Sequence, residues 1–219
     1  MHSAVAQSLH KNTYLKHTNY LENNMAQAKS LTQQDINTVL AYTASRSNAV
    51  RNRVMFLLTV LAGLRVSEVA QLTVSDVRNT DGTVKSQVFL SSERVKHGHA
   101  RTVFLSTQLQ HEITQYLAAQ DTVQDDHPLF HTLRGVRKAF TASTLTQHFH
   151  YLYRRALVFG ASSHSGRRTF LTNLSNSGIS VFVLASLAGH KNIATTQRYV
   201  TVNDDQKRRA VDCFSLLVA

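Results

Sequence analysis

Residues 187–200 read LAGHKNIATTQRYV. Ahead of this stretch, Val181 to Ala188 (VFVLASLA) is one apolar run, with Ser180 placed as its N-cap and Gly189 as the residue that closes it. A short loop follows, and Ile193 to Val200 has helical composition. Tyr199 sits late in it, directly after Arg198 and nine residues after His190. Taken alone, a tyrosine so placed packs or lies on a surface. Its meaning depends on what the rest of the chain brings to it.

The chain has 219 residues with 42% apolar content, enough for one good core. Lys and Arg number 24 against 13 acids, a net charge of +11. That charge is spread through the chain and points to a polyanion: DNA, RNA or an anionic membrane. The one cysteine, Cys213, excludes an in-chain disulfide framework or a Cys-based metal site. The opening residues lack an apolar core, so no secretory signal is expected. The longest apolar run, Val54 to Leu64, is broken by Thr59 and Gly63 and falls short of the roughly 20 residues of a membrane span. A cytoplasmic protein without membrane contact is expected, and one proline in the chain fits a largely helical fold.

The pattern divides the chain into a polar tail (1–30), a compact domain (31–203) and a C-terminal segment (204–219). Thr32 and Asp35 form a capping-box start to a helix carrying Ile36, Val39 and Leu40. Asn48 caps a second helix with an apolar stripe from Val50 to Leu61, which Gly63 ends. Leu64-Arg65-Val66-Ser67-Glu68 then opens a short helix, with Arg65 three residues from a possible ion partner, Glu68. Three strands are expected around Val84–Leu90, Glu93–Val95 and Arg101–Leu105, the last two joined by the basic turn Lys96–Ala100. Further helices start at Ser106 or Thr107, at Ser143/Thr144, and at His164, the last running to about Ser175. The fold class is mainly α with a small antiparallel β-sheet.

The polar residues at helix ends and on the hairpin are Arg65, Lys96, His164, Arg167, His190 and Tyr199. Without paired carboxylates, magnesium-dependent phosphoryl chemistry is unsupported, and two histidines do not make a zinc site. The set suits a phosphodiester. Two guanidiniums hold the charge that develops on its non-bridging oxygens. A phenol is a nucleophile once a base or a cationic surround draws off its proton. A histidine can take that proton, and a lysine can protonate the leaving oxygen.

GLRVSEVAQL (63–72), RVKHGHARTVFLS (94–106), HSGRRTF (164–170) and LAGHKNIATTQRYV (187–200), in this order and spacing, resemble the tyrosine recombinase (phage integrase) family over about residues 31–203. The resemblance implies the tyrosine recombinase catalytic-domain fold and site-specific DNA strand cleavage and rejoining, without metal, ATP or cofactor. Tyr199 then looks like the nucleophile of a 3′-phosphotyrosyl link. Arg65 and Arg167 look like the phosphate clamp, His190 like a further donor, His164 like the proton acceptor, and Lys96 like the general acid. Glu68 looks like the group that orients Arg65. Basic residues expected against DNA are Arg94, His97, Arg101, Arg134, Arg137, Lys138, Arg168 and Lys191. The chain departs from the family at Gly166, where a leucine is common and where a loosened turn is expected. It also has only some 30 polar residues where larger members carry a helical DNA-clamping domain, so it looks like the short, single-domain members.

The expected partner is double-stranded DNA, gripped by a homotetramer with the help of DNA-bending accessory proteins. The apolar half of the C-terminal segment, Cys213 to Ala219, is expected to dock on a neighbouring protomer. Two other readings stand beside this one. A non-catalytic DNA-binding regulator would use Ser180 to Val200 as a helix-turn-helix, and a type IB topoisomerase shares the same chemistry.

Overall fold

The computed structural model describes residues 28–93, 100–120, 123–132, 138–200, 202 and 204–215, with side chains to residue 212. Helix α1 (Gln33–Ala44) opens on the expected capping box: Asp35 donates its N–H to Thr32 Oγ1 at 3.1 Å, and the Thr32 N–H donates back to Asp35 Oδ2 at 2.9 Å. Helix α2 (Ala49–Leu61) starts after Asn48 by another route. Asn48 takes the left-handed conformation at φ 61° and its side chain makes no cap. Val54 to Val60 are buried without a break, so this part of α2 is enclosed on every side and lies in the middle of the molecule.

Around α2 pack α1, α3 (Val66–Ala70), α5 (Thr107–Ala118) and α7 (Ser165–Asn176), while α6 (Ala142–Arg155) packs on α1 and α3. The fully buried rings of Phe56, Tyr116, Phe130, Phe149 and Tyr153 fill the space between these helices. Tyr116 keeps its hydroxyl satisfied by donating to the Leu129 carbonyl at 2.8 Å. Helix α6 is capped by Thr141, two residues earlier than expected, because Thr141 and Thr144 exchange side chain and backbone bonds reciprocally. The short α4 (Val74–Val77) leads into the sheet.

That sheet has two strands among the described residues, β1 (Gln87–Leu90) and β2 (Arg101–Phe104), antiparallel with Val88 opposite Val103 and Leu90 opposite Arg101. The expected strand at Glu93–Val95 is not formed at Glu93, which lies in a turn; Val95 lies outside the described residues. Val84 pairs singly with Arg78 rather than extending β1. Val88, Leu90, Arg101 and Val103 face the interior, and Phe89 and Phe104 face solvent.

Helix α8 (Val181–Ala188) is capped by Ser180, whose Oγ accepts from Val183 N at 3.3 Å, and stops at Gly189. It packs on β2, on α7 and on α9 (Ile193–Gln197). Helix α9 is shorter than its composition suggests, and Tyr199 follows in a turn closed by its N–H donating to the Thr196 carbonyl at 2.9 Å. Helix α10 (Asp204–Ser215) leans on the end of α7: Gln206 and Arg209 donate to the carbonyls of Ser175 and Asn176.

Gly166 corrects one expectation. It lies in the first turn of α7, where that helix crosses α2, and a Cβ there would fall 2.0 Å from Thr59 Oγ1. The glycine tightens this crossing instead of loosening a turn, since only a residue without a side chain admits so close an approach.

Candidate active site

Arg65 occupies the N-cap position of α3 with extended backbone, which aims its side chain out of the helix start. Glu68, on the next turn and only 1% exposed, accepts from the Arg65 N–H (2.7 Å) and from Arg65 Nη1 (2.7 Å). The same carboxylate takes two bonds from Arg101, at 3.3 Å from Nη1 and 2.9 Å from Nη2. One buried acid therefore holds two arginines.

Arg101 was expected against DNA, and its position corrects that expectation. It shares the inward face of β2 with Val103, its side chain is 4% exposed, and both its Nη groups are spent on Glu68. Gly189 covers it. A Cβ at Gly189, which sits at φ +62°, would meet Arg101 Cδ at 2.6 Å. The alternation Arg101, Val103, Leu105 was a signal in the sequence that this arginine points inward.

Arg167 projects from the first turn of α7 and is 6% exposed. Its Nη1 donates to the Gly63 carbonyl at 2.7 Å and its Nη2 to the Ala188 carbonyl, joining the end of α2 to the end of α8. Nη2 also meets His190 Nε2 at 3.2 Å. A guanidinium can only donate, so Nε2 accepts and the His190 proton sits on Nδ1, which donates to Thr196 Oγ1 at 2.8 Å. Thr196, fully buried, thus fixes the tautomer, a role the sequence did not reveal.

Burial, with help from Arg167, Arg65 and Arg101, pushes His190 down to about 4. Burial, followed by the charges of Arg65 and Arg101, pushes Arg167 down to about 9. Burial leads both shifts, and crowded positive charge adds to it. Three guanidiniums surround one carboxylate, leaving uncompensated positive charge in a desolvated place, and an anion would offset it.

Tyr199 stacks on His190, with ring centroids 6.0 Å apart and planes 19° from parallel. Arg168 stands over the same phenol ring at 5.6 Å and is steadied by Nε donating to Ser30 Oγ at 3.1 Å. Arg65, His164, Arg167, Arg168, His190 and Tyr199 line one cleft of about 280 Å³. Its size and charge suit a phosphate group, with a phenol and two imidazoles at its edge.

Five of the six candidate catalytic residues therefore meet in one place, drawn from three separate stretches of sequence. The sixth, Lys96, lies outside the described residues, as do Arg94, His97, Arg134 and Arg137. Lys138 and Lys191 are exposed. No three His, Cys, Asp or Glu side chains group as metal ligands among the described residues, and no described helix is long and apolar enough to cross a membrane.

A model of the phage integrase family matches residues 29–206, and the chain belongs to that family. It is similar to the tyrosine recombinase XerA of Pyrococcus horikoshii, 29% identical over 190 residues that make up 86% of this chain and 62% of that one. It shares its fold with a crystal structure of XerA recombinase at a TM-score of 0.66 and 24% identity, covering 85% of this chain and 65% of the other. The catalytic domain of bacteriophage HP1 integrase matches at a TM-score of 0.55 and 23% identity, covering 79% and 87%. The chain spans less than two thirds of the length of the curated XerA relatives it matches.

Proposed function

We propose that this chain is a site-specific DNA recombinase that cuts and rejoins strands through a 3′-phosphotyrosine intermediate. One observation carries the reading: the Tyr199 ring lies against His190 in the same cleft as Arg65 and Arg167, at an anion site that no carboxylate fills. The Tyr199 oxygen attacks the scissile phosphorus, the bond to the 5′ oxygen breaks, and an O–P bond to tyrosine forms. His164 takes the phenolic proton, and Lys96 gives a proton to the departing 5′ oxygen. Arg65 and Arg167 hold the non-bridging oxygens while charge grows on them.

His190 acts as a donor only with a proton on Nε2, and the incoming phosphate supplies the negative charge that draws one there. Because the phosphotyrosine bond conserves the energy of the broken one, a free 5′ hydroxyl can reverse the step without ATP. The full reaction is exchange between two duplex sites held by four copies in the cytoplasm, aided by DNA-bending proteins, with the apolar half of the C-terminal segment, Cys213 to Ala219, docking on the next copy.

The test is a nicked duplex that traps the covalent intermediate by losing its 5′ fragment. The unaltered protein should yield an SDS-resistant protein–DNA adduct. Tyr199→Phe should bind the duplex and yield none. An adduct that survives in this variant would overturn the assignment of the nucleophile.

A further inference from the structure

A second cavity, of about 270 Å³, opens at the other end of α2 from the cleft described above. The helix between them has 13 residues, so the two openings are separated by roughly 20 Å at 1.5 Å per residue. Arg46, Arg51, Arg155, Asn52 and His148 line the cavity, and no acidic side chain does. The arginines come from three places: Arg46 from just beyond α1, Arg51 from the first turn of α2 and Arg155 from the end of α6.

Their partners are all neutral. Arg51 is 9% exposed and bonds to the His131 carbonyl (2.9 Å) and to Asn52 Oδ1 (3.1 and 3.2 Å). Phe140 covers its other face at 5.4 Å. Arg46 lies over the Tyr42 ring at 4.7 Å and Arg155 over the Tyr151 ring at 5.7 Å. Among the described residues no carboxylate forms an ion pair with any of the three. Such an arrangement leaves three positive charges facing one space, one of them desolvated, and that is stable only beside a compensating anion or open water.

Two features say that the anion belongs inside. His148 Nε2 is buried and has no hydrogen-bond partner, an orphaned polar atom of the kind native interiors leave only for a reason. The side chain of Asn48 does not cap α2, so the amides of the first turn are not closed off from within. Tyr42 and Tyr151 each carry an arginine over a ring face, so the rings serve to hold the guanidiniums that the cavity presents. The ligand chemistry these groups favour is that of phosphate, with Arg46 and Arg155 as an exposed rim and Arg51 as a buried floor.

The geometry points to this cavity as a second phosphate-binding site, separate from the cleft of Tyr199. The phosphate is either one on the backbone of a bound duplex or part of a free polyphosphate. Only the duplex arm rests on the DNA-acting reading above.

The experiment compares the full chain with Arg46→Gln/Arg155→Gln, which leaves the buried Arg51 in place. Lys207→Gln/Arg208→Gln removes the same charge from exposed positions on α10 and serves as the control. Binding to a 30-base-pair duplex is followed by fluorescence anisotropy at several salt concentrations. Inorganic pyrophosphate is titrated in parallel while the His148 ring signals are followed by NMR. If the site takes a backbone phosphate, the log–log salt slope falls by about 0.9 and affinity drops several-fold in the Arg46/Arg155 variant only. If it takes a free polyphosphate, the slope is unchanged but pyrophosphate shifts His148 in the parent and not in that variant. Unchanged salt slope together with an unmoved His148 signal overturns the site. So does an equal loss in the α10 control with no response of His148. The Tyr199→Phe protein should behave as the parent in both measurements, which separates this site from the cleavage reaction.

Discussion

Replacing Glu68 with glutamine keeps the shape of the side chain and removes its charge, so it tests the electrostatic centre of the cleft. Four N–H groups converge on this carboxylate, two from Arg65 and two from Arg101. Each of its oxygens serves one donor from each arginine. An amide can accept at only one end, so whichever way the new side chain turns, its NH2 faces two donors. Removing one partner of a buried ion pair costs roughly 3–5 kcal/mol. Arg65 has a side chain 18% exposed, and water recovers part of its share, which places the expected loss near the lower bound, about 3 kcal/mol.

A domain of this kind holds on the order of 5–15 kcal/mol, so Glu68→Gln should fold. Its midpoint should fall by roughly 6–12 °C, at about 2–4 °C per kcal/mol for a chain of this length. Urea unfolding followed by circular dichroism gives the free energy directly. A second arm uses sulfate against chloride at matched ionic strength. With the charge at position 68 removed, Arg65, Arg101 and Arg167 face one another uncompensated, so sulfate should stabilise the variant more than the parent. A loss under about 1 kcal/mol, with no differential response to sulfate, would refute the view that one carboxylate holds the two arginines in register.

Other expectations follow from the same contacts. Gly166→Ala should cost about 1–3 kcal/mol by overpacking the α2–α7 crossing, and Thr59→Ala in the same chain should restore part of that, read by thermal unfolding. Gly189→Ala adds a Cβ at φ +62° against Arg101; it should lower stability by about 1–2 kcal/mol and reduce adduct formation on a nicked duplex, whereas a variant as active as the parent would count against the Gly189–Arg101 contact. His190 is pushed down to about 4 from an ordinary value of 6.5, so between these pH values the unfolded chain carries a proton that the native chain lacks. Native stability should therefore fall as pH drops from 6.5 towards 4 and flatten below it. His148, also pushed down to about 4, acts in the same direction, and NMR titration of the two rings separates them. Addition of sulfate should raise the His190 midpoint, because an anion beside Arg167 favours the charged imidazole.

The helices that present the cleft were legible because their signals are local. The capping box at Thr32–Asp35, the stripe of α2, the Ser180 cap and the Gly189 stop each act within one turn of chain, and a single sequence displays them directly. The spacing of Arg65 from Glu68 was equally local, and the structure forms that ion pair. What escaped depends on contacts across the chain. Gly166 looked like a weak turn because nothing near it in sequence announces Thr59, more than a hundred residues earlier. Asn48 looked like an ordinary N-cap because its left-handed backbone leaves no mark on composition.

Arg101 shows why charge is the hardest property to read this way. A basic residue on a basic hairpin has the composition of a DNA contact, and only strand parity places it inside. Once inside, it changes the meaning of Glu68, which is no longer the partner of one arginine but the hub of two. With Arg167 held by two carbonyls and His190, the guanidiniums of Arg65, Arg101 and Arg167 share a single carboxylate, and that imbalance survives burial only because the site is open to an anion. Burial lowers both Arg167 and His190, and the neighbouring guanidiniums lower each of them further. A phosphate entering between them would relieve both at once, strengthening its own grip as it draws a proton to His190. Affinity for the phosphate and readiness of His190 to donate are thus one electrostatic quantity, and a substitution at Glu68 or Arg101 should move both together.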